Sequence, residues 1–586
     1  MMAHWSEDNQ PLQIMTSKVE KFAQLQNLEI NSSDIYLLQF PFFRTTRDAE
    51  KSQGLFESLA DFCARLDESA VICVLTTPPD AALLLPYLER DLKFQLWVAL
   101  KTSSDCYPEV AGQLPKRQAA LLVLTKYKSV LKHTKTRVQY TYCPACGKTT
   151  KDYGGKKHTY HSYGTMLSDV WRDIEYHPNE GIEQVVTRLA DLFGLAPHQN
   201  LRLIDLQKCE ELLPTDLPAP AEIIIENTAT QNLASQLINQ DCLAALKSIP
   251  DNSLDFCFAD PPYNLKKKYD KWDDGMESVE YFSWCDQWLS ELYRVLKPNR
   301  TLAVLNIPLW AVRHFRHLNS LMTFQDWIAW DGLSFPVRMI MPAHYAVICF
   351  SKGNPRAISS LADRNAEAKD LTMLKENYCI RANCVSQRYW SKADDRVAIN
   401  DLWPDIHRLK HNSKRVDHPC QLPPSLMRRL FATFTNPGEI ILDCFNGAGT
   451  STLVAQQMKL RYIGIELSLQ YHQIAQQRHA ELSDGGDPFG KVMAIPKAKN
   501  SSVQRLQKQK YAVSKKVLQL EVKRIAIELG RLPTKEEVKE FSQYPLEYYE
   551  QYFVSWGEVC AAARTTGMTE DPAINQTRQS LLWASN

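Results

Sequence analysis

Leu254-Asp-Phe-Cys-Phe-Ala-Asp-Pro-Pro-Tyr-Asn264 is the stretch on which the reading of this chain turns. An apolar, Phe-rich run has strand character. It stops at Asp260, because Pro261 and Pro262 lack backbone donors and fix φ. The strand therefore ends in a stiff turn that carries a carboxylate, carbonyl groups and the Tyr263 ring. In open α/β sheets, ligands bind at that end of the strands.

These groups suit methyl transfer to an exocyclic amine of a base. The amine lone pair is delocalised into the ring, so acceptors must hold its hydrogens while the lone pair turns toward an electrophile. Asp260 and the Pro261 carbonyl would accept those hydrogens, and Tyr263 would stack on a base drawn out of its helix. On its own, Asp-Pro-Pro-Tyr reads equally well as a proline-stiffened loop. The downstream sequence decides between the two.

Downstream lie Glu439-Ile-Ile-Leu-Asp-Cys-Phe-Asn-Gly-Ala-Gly-Thr-Ser-Thr452 and Arg461-Tyr-Ile-Gly-Ile-Glu466. They read as strand, glycine turn, helix, and a second strand ending in an acid. Gly447 and Gly449 let the backbone approach a ligand, and the helix start favours a carboxylate. Glu466 follows Asp443 by 23 residues, about where dinucleotide-type folds place a ribose-binding acid.

Together these motifs resemble the S-adenosylmethionine-dependent DNA amino-methyltransferases, in the group where Asp-Pro-Pro-Tyr precedes the cofactor loop. The resemblance runs from about Asn227 to Arg478 and includes Asn239-Gln-Asp-Cys-Leu, Leu296-Lys-Pro, His344-Tyr-Ala-Val-Ile-Cys-Phe-Ser-Lys, Asp401-Leu-Trp and His418-Pro-Cys-Gln-Leu-Pro423. It implies a Rossmann-like methyltransferase fold with Asp260, Pro261, Pro262 and Tyr263 as the catalytic motif. Phe445, Gly447, Gly449 and Thr450 would line the methionine end of the cofactor, and Asp260 and Asp443 would also bind it. Glu466 would hold the ribose hydroxyls and Asp241 the adenine edge, while His418, Gln421 and Pro423 would close the pocket. The chain departs from the family at Leu422, where Lys is usual, and at Tyr345, where Glu is frequent. The motif order favours DNA over the protein and RNA relatives that place the glycine loop first. Asp rather than Ser at position 260 favours adenine N6 over cytosine N4.

Length and composition bound the rest. At 586 residues several domains are expected. Lys plus Arg number 68 against 67 Asp plus Glu, so any DNA affinity must come from local patches. Neither a membrane span nor a signal peptide is expected, and the 15 cysteines, mostly in apolar runs, fit reduced thiols in a cytoplasmic protein.

The first part of the chain echoes the second. Ser33-Asp-Ile-Tyr-Leu-Leu-Gln-Phe-Pro-Phe-Phe43 matches Leu254–Asn264, with Gln39 in the place of Asp260. Leu167–Ile174 matches Ile399–Ile406, pairing Trp171 with Trp403, and Leu201–Leu206 matches Glu439–Cys444, pairing Asp205 with Asp443. No glycine loop follows Asp205. An internal duplication is expected, its first copy lacking the catalytic acid and the cofactor loop. One active site per chain follows, with the dead copy as a built-in partner: a pseudo-dimer is favoured over a true oligomer.

Within that copy, Cys143, Cys146, His158 and His161 are spaced C-x2-C-x11-H-x2-H, a candidate structural zinc site. Pro214–Ala221 reads as a linker. Lys266, Lys267 and Lys268, interleaved with Tyr269 and Trp272, are candidate phosphate contacts. Residues 354–415 mix Arg388, Arg396 and other basic groups with Asn and Gln, and the resemblance places target recognition there. From Lys491 to Val517 there are eight basic residues and no acid. Around Leu518–Arg564 the chain resembles the homing-endonuclease-associated repeat, with Thr534 and Glu537 at capping-box spacing.

The expected organisation is therefore an α/β protein with duplicated methyltransferase-like halves and a small C-terminal helical domain. Residues 1–213 form the degenerate copy, with the zinc knuckle at 143–161. Residues 214–226 form a linker, 227–485 the catalytic copy, and 486–586 a basic linker with a DNA-associated helical domain. The expected activity is S-adenosylmethionine-dependent methylation of adenine N6 in duplex DNA. Cytosine N4 is the alternative acceptor, and a non-catalytic DNA-binding scaffold is the alternative class. Restriction, phage-defence and orphan-marking settings, with or without partner subunits, are all compatible with the sequence.

Overall fold

The computed structural model describes residues 14–30, 35–42, 49–194 apart from 132, 135, 145 and 150–163, then 201–212, 233–264, 275–332 and 344–358. It further describes 372–374, 379, 381, 384, 386–387, 390–391, 396–406, 421–489, 513 and 515–564 apart from 554. The expected linker at 214–226 lies outside the described residues.

The first sheet is built from β1 (Ile14–Lys18), β2 (Ile35–Gln39), β3 (Val71–Thr76), β4 (Leu92–Thr102) and β5 (Gln118–Lys126). An insert follows with four two-residue strands: β6 (Arg137–Val138), β7 (Tyr142–Cys143), β8 (Lys148–Thr149) and β9 (Thr165–Met166). β10 (Val170–Tyr176) and β11 (Leu201–Asp205) complete the sheet, in the order β1-β11-β2-β3-β5-β4-β10.

The second sheet draws on β12 (Gln236–Asn239), β13 (Leu254–Ala259), β14 (Leu296–Asn306), β15 (Thr323–Asp331) and β16 (His344–Ser351). After the small pair β17 (Thr372–Leu374) and β18 (Arg396–Ala398) come β19 (Leu402–Trp403), β20 (Ile440–Asp443) and β21 (Arg461–Glu466). Its order is β12-β21-β20-β13-β14-β16-β15-β19.

The two sheets repeat one plan. In each, parallel central strands are followed by two antiparallel pairings and a last parallel strand. The pairing registers equate β2 with β13 and set Gln39 where Asp260 stands, as the sequence match proposes. Trp171 and Trp403 are equivalent down to their indole donors, which reach the Ser168 and Asn400 carbonyls. Details that sequence comparison misses repeat as well. Lys126 caps the end of the helix Ala49–Arg65 at the Cys63 and Ala64 carbonyls, and Lys352 caps the helix Ser278–Val295 at those of Tyr293 and Arg294.

One part of the match needs correction. Asp205 pairs beside Gln39, whereas Asp443 pairs beside Phe258, so it is Leu203 that occupies the position of Asp443. Both acids nonetheless accept the amide two residues ahead, which gives them similar local turns. Among the described residues, the first sheet is also one strand shorter. β1 pairs directly with β11, in the place that β21 fills beside β20. The strand with no described counterpart is the one that ends in Glu466.

The two copies share a core. Trp97 of β4 stacks on Trp327 of β15, and the helix Pro78–Leu88 packs against the helix Pro308–Asn319. Ala99 and Val170 of one copy join Ala329 and Leu402 of the other in a buried cluster. Cross-copy hydrogen bonds reinforce it: the Arg117 amide donates to Asp401 at 2.7 Å, and the His344 amide to Asp169 at 3.2 Å. These two acids hold equivalent places, so the contact is a pseudo-two-fold one.

Residues 499–586 are a separate compact unit. The helix Lys515–Leu529 buries Leu518, Val522 and Ile525 against Val538, Tyr549 and Phe553. Thr534 and Glu537 form the expected capping box, and the Trp556 indole donates to the Pro533 carbonyl. No helix among the described residues is long and apolar enough to cross a membrane.

Candidate active site

β13 is buried along its whole length and delivers Asp260 at its C-terminal end. The turn that follows is held from below. The Tyr281 hydroxyl donates to the Pro262 carbonyl at 2.7 Å, and the Trp310 indole donates to the Tyr263 carbonyl at 2.8 Å. Asn264 takes φ +53, a left-handed value that Asn tolerates, and turns the chain away. Tyr263 is buried, and its hydroxyl donates to Asp260 Oδ1 at 2.8 Å. The ring expected to stack on a base is thus also the clamp that orients the carboxylate. Tyr345, at one of the family departures, stands 6.2 Å from Tyr263 between ring centroids.

The glycine turn after β20 is organised by side chains. The Asp443 carboxylate accepts the Phe445 amide at 2.9 Å and the Ser451 hydroxyl, so it braces the turn from behind. Burial, with Glu466 nearby adding to it, pushes the Asp443 carboxyl up to about 6 against those hydrogen bonds. Asn446 accepts from the Thr452 hydroxyl at 2.9 Å and lies against Gly464, where a Cβ would meet it at 2.7 Å. Gly449 takes φ +81 and passes so close to Ala475 that a side chain would collide. The helix Thr450–Gln457 starts there.

Glu466, at the end of β21, accepts the Gly447 amide and the Ser468 amide, both at 2.8 Å. Burial raises its carboxyl, opposed by these amide bonds. Asp241 caps the helix Cys242–Leu246 through the Ala244 amide, and Asn239 ties that region to the Glu466 and Leu467 carbonyls. Buried Arg478 donates to the Ala448 carbonyl at 2.5 Å, and burial lowers its guanidinium to about 10.

One cavity collects these groups. Asp241, Asp260, Pro261, Pro262, Tyr263, Gln421, Asp443, Phe445, Gly447, Thr450 and Glu466 all line it. Pro423 is buried at the start of the helix Pro424–Phe434. The wall also includes Trp284, Asn446, Ser451, Ser468 and Tyr471, which the sequence reading did not single out. For Asn446 and Ser451, position beside the glycines was the available signal. Trp284 could have been found only from the helix that carries it, since its ring lies 5.8 Å from Phe445.

Other candidates fall elsewhere. His418, Lys266, Lys267, Lys268 and Arg388 lie outside the described residues, as do His158 and His161. Arg396 donates to the Thr372 hydroxyl at 2.9 Å and so fastens β18 to β17. Cys143 and Cys146 lie in the β7–β8 hairpin, remote in sequence from the cavity.

Parts of the chain are similar to known proteins. Residues 254–477 match the model of a family described as DNA methylase, and residues 513–563 match one described as homing endonuclease associated repeat. The Type II methyltransferase M.BamHI of Bacillus amyloliquefaciens is 32% identical over 237 residues, 40% of this chain and 54% of that one. The DNA adenine methyltransferase YhdJ of Escherichia coli (strain K12) is 27% identical over 262 residues, 43% of this chain and 85% of that one. A solved cytosine-N4-specific PvuII DNA methyltransferase covers 44% of this chain and 93% of its own, at 17% identity and a TM-score of 0.32. The chain thus spans about half the length of M.BamHI, 54%. Residues 254–477 are thus similar to a DNA-methylase domain, and residues 513–563 to a homing-endonuclease-associated repeat.

Proposed function

We propose that the second copy is a site-specific DNA methyltransferase that moves a methyl group from S-adenosylmethionine to adenine N6 in duplex DNA. The observation that carries this reading is the single cavity in which the Asp260–Tyr263 turn meets the Phe445–Gly449 turn and Glu466. A donor-binding surface and an amine-binding corner at the ends of neighbouring strands are what the reaction needs.

The donor fits these residues. Glu466 would accept from the ribose hydroxyls, Asp241 would take the adenine edge, and Phe445 with Trp284 would give the apolar wall. The start of the helix Thr450–Gln457 favours the methionine carboxylate. S-adenosylmethionine supplies an electrophilic methyl group on sulfonium.

Asp260 and the Pro261 carbonyl would accept the two hydrogens of a base amine turned out of the duplex. So held, the amine would present its nitrogen lone pair to the donor's methyl group, where a new nitrogen–carbon bond would replace the carbon–sulfur bond. The amine proton becomes acidic only once that bond has formed, so orientation supplies most of the acceleration. The Tyr263 hydroxyl keeps the Asp260 carboxylate in place for this.

Cytosine N4 is the alternative acceptor, since the same two hydrogen-bond acceptors suit its amine. Asp at position 260 and the resemblance to YhdJ favour adenine. A scaffold without turnover fits less well, because the acid, the glycine turn and the ribose-side carboxylate are all present together. Incubation with tritiated-methyl donor and duplex DNA, followed by digestion to nucleosides, tests the proposal. N6-methyl-2′-deoxyadenosine is expected. N4-methyl-2′-deoxycytidine moves the acceptor, and unlabelled DNA overturns the reading.

A further inference from the structure

Four cysteines from two distant parts of the chain converge on one point. Cys143 and Cys146 come from the β7–β8 hairpin of the first copy. Cys379 and Cys384 come from the second copy, between β17 and β18. All four Sγ atoms lie within 4.8 Å of one another, and Cys146 Sγ is 3.9 Å from Cys379 Sγ. A tetrahedral ion with sulfur at about 2.3 Å sets its ligand sulfurs about 3.8 Å apart, so the thiols stand close to the required spacing. None of the described cysteines is in a disulfide.

We propose that Cys143, Cys146, Cys379 and Cys384 form a structural Zn²⁺ site that joins the two copies. The local fold supports ligation. β7 and β8 form a tight hairpin in which the Gly147 amide donates to the Cys143 carbonyl at 2.9 Å, and Gly147 takes φ +63. That is the turn through which a C-x2-C pair presents two thiolates to one ion. Cys143, Cys379 and Cys384 are buried, and Cys146 is partly exposed.

The competing account is that buried cysteines serve as small hydrophobes. The cluster does not look like a core. It consists of these cysteines alone, with no aliphatic or aromatic partner among the described residues. Four sulfurs gathered without other apolar groups gain little from burial, whereas an ion shared by four thiolates closes a chain segment of more than 200 residues. Four sulfur ligands and no open position make the site a closed one, and soft thiolates select zinc over magnesium or calcium. The ligand set also revises the expectation from sequence. Cysteines of the second copy stand where His158 and His161 were expected.

The full-length protein, expressed with zinc in the medium and gel-filtered through chelator, tests this. Elemental analysis is expected to return one zinc per chain, released by titrating the thiols with an organomercurial. Cys379→Ser/Cys384→Ser should lower retained zinc at least tenfold, while His158→Ala/His161→Ala should keep the full equivalent. Because the serine variant can misfold, the intact protein loaded with Co²⁺ gives an independent readout. Thiolate-to-cobalt charge transfer of four-sulfur intensity is expected. Absence of retained metal, iron in its place, a two-sulfur cobalt spectrum, or zinc loss from the histidine variant alone would each overturn the site.

Discussion

Trp97 and Trp327 lie face to face across the boundary between the two copies, with ring centroids 4.8 Å apart and planes 3° apart. Each occupies the same position in its own sheet, opposite Leu122 and Ile348 respectively. The stack therefore marks the pseudo-two-fold axis and packs the two halves against each other. Trp327→Ala is expected to cost about 3–5 kcal/mol, the range for truncating a buried aromatic. The double variant with Trp97→Ala should show a coupling of about 0.5–1.5 kcal/mol. Urea unfolding checks both, and strictly additive losses would mean that the rings do not support each other.

Asp260→Ala removes the proposed amine acceptor from the cavity wall and leaves Asp241, Glu466 and the Phe445–Gly449 turn in place. Methyl incorporation should fall by about 10²-fold or more. Donor affinity, measured by calorimetry, should stay within a few-fold. Retained turnover would place the chemistry elsewhere.

Gly464→Ala tests the support behind the glycine turn. A Cβ there meets Asn446 at 2.7 Å and Leu237 at 2.9 Å, inside a strand that has little room to shift. A cost of about 1–3 kcal/mol is expected. Donor binding should weaken as well, because Asn446 is part of the turn.

Asp443 gives a pH test. Its folded pKa is raised to about 6 by burial, so between about pH 4 and pH 6 the folded state holds a proton that the unfolded chain has released. Stability from this group is therefore greatest in acid and falls as pH rises through that window. Asp443→Asn removes the effect. The stability difference should move in favour of the variant by up to about 3 kcal/mol between pH 4 and pH 7. A flat difference would show that the carboxyl ionises normally.

Asp405 has the opposite sign. Its carboxylate accepts both Arg429 Nη1 at 2.7 Å and Nη2 at 2.8 Å, and also the Leu374 amide. Although burial opposes it, the pairing holds the Asp405 pKa below the usual carboxylate range. Its stabilisation is present above the unfolded pKa and is lost as pH falls through the folded value. Removing one partner leaves a buried charge, so Asp405→Ala should cost about 3–5 kcal/mol. Amide exchange in Thr372–Leu374 should accelerate with it.

The turns proposed as the catalytic corner were legible as turns because proline, glycine and acid each leave a local mark. Asp260-Pro-Pro-Tyr263 ends a strand by removing donors, and Gly449 permits a conformation that other residues avoid. The duplication was legible at Trp171 and Trp403, where an identical side chain does an identical job. Three things were not legible. Among the described residues the first sheet has no counterpart of β21, and spacing alone does not reveal that β1 pairs directly with β11. The register of Asp205 depends on pairing, not on spacing. Cys379 and Cys384 stand in a stretch with weak periodicity, and only the fold brings them to Cys143 and Cys146.

The boundary between the copies has one feature that breaks its own symmetry. Lys116 of the first half is bonded to the buried carboxylate of Asp326, and the Leu114 amide donates to the same group at 3.1 Å. In the mirrored place of Asp326 stands Leu96. In an assembly of identical subunits, a charge placed there would appear twice. A tandem chain escapes that doubling, so each half can drift alone while its neighbour stays tethered at undiminished effective concentration. Specialisation of one half and silence of the other is the outcome such a joint permits.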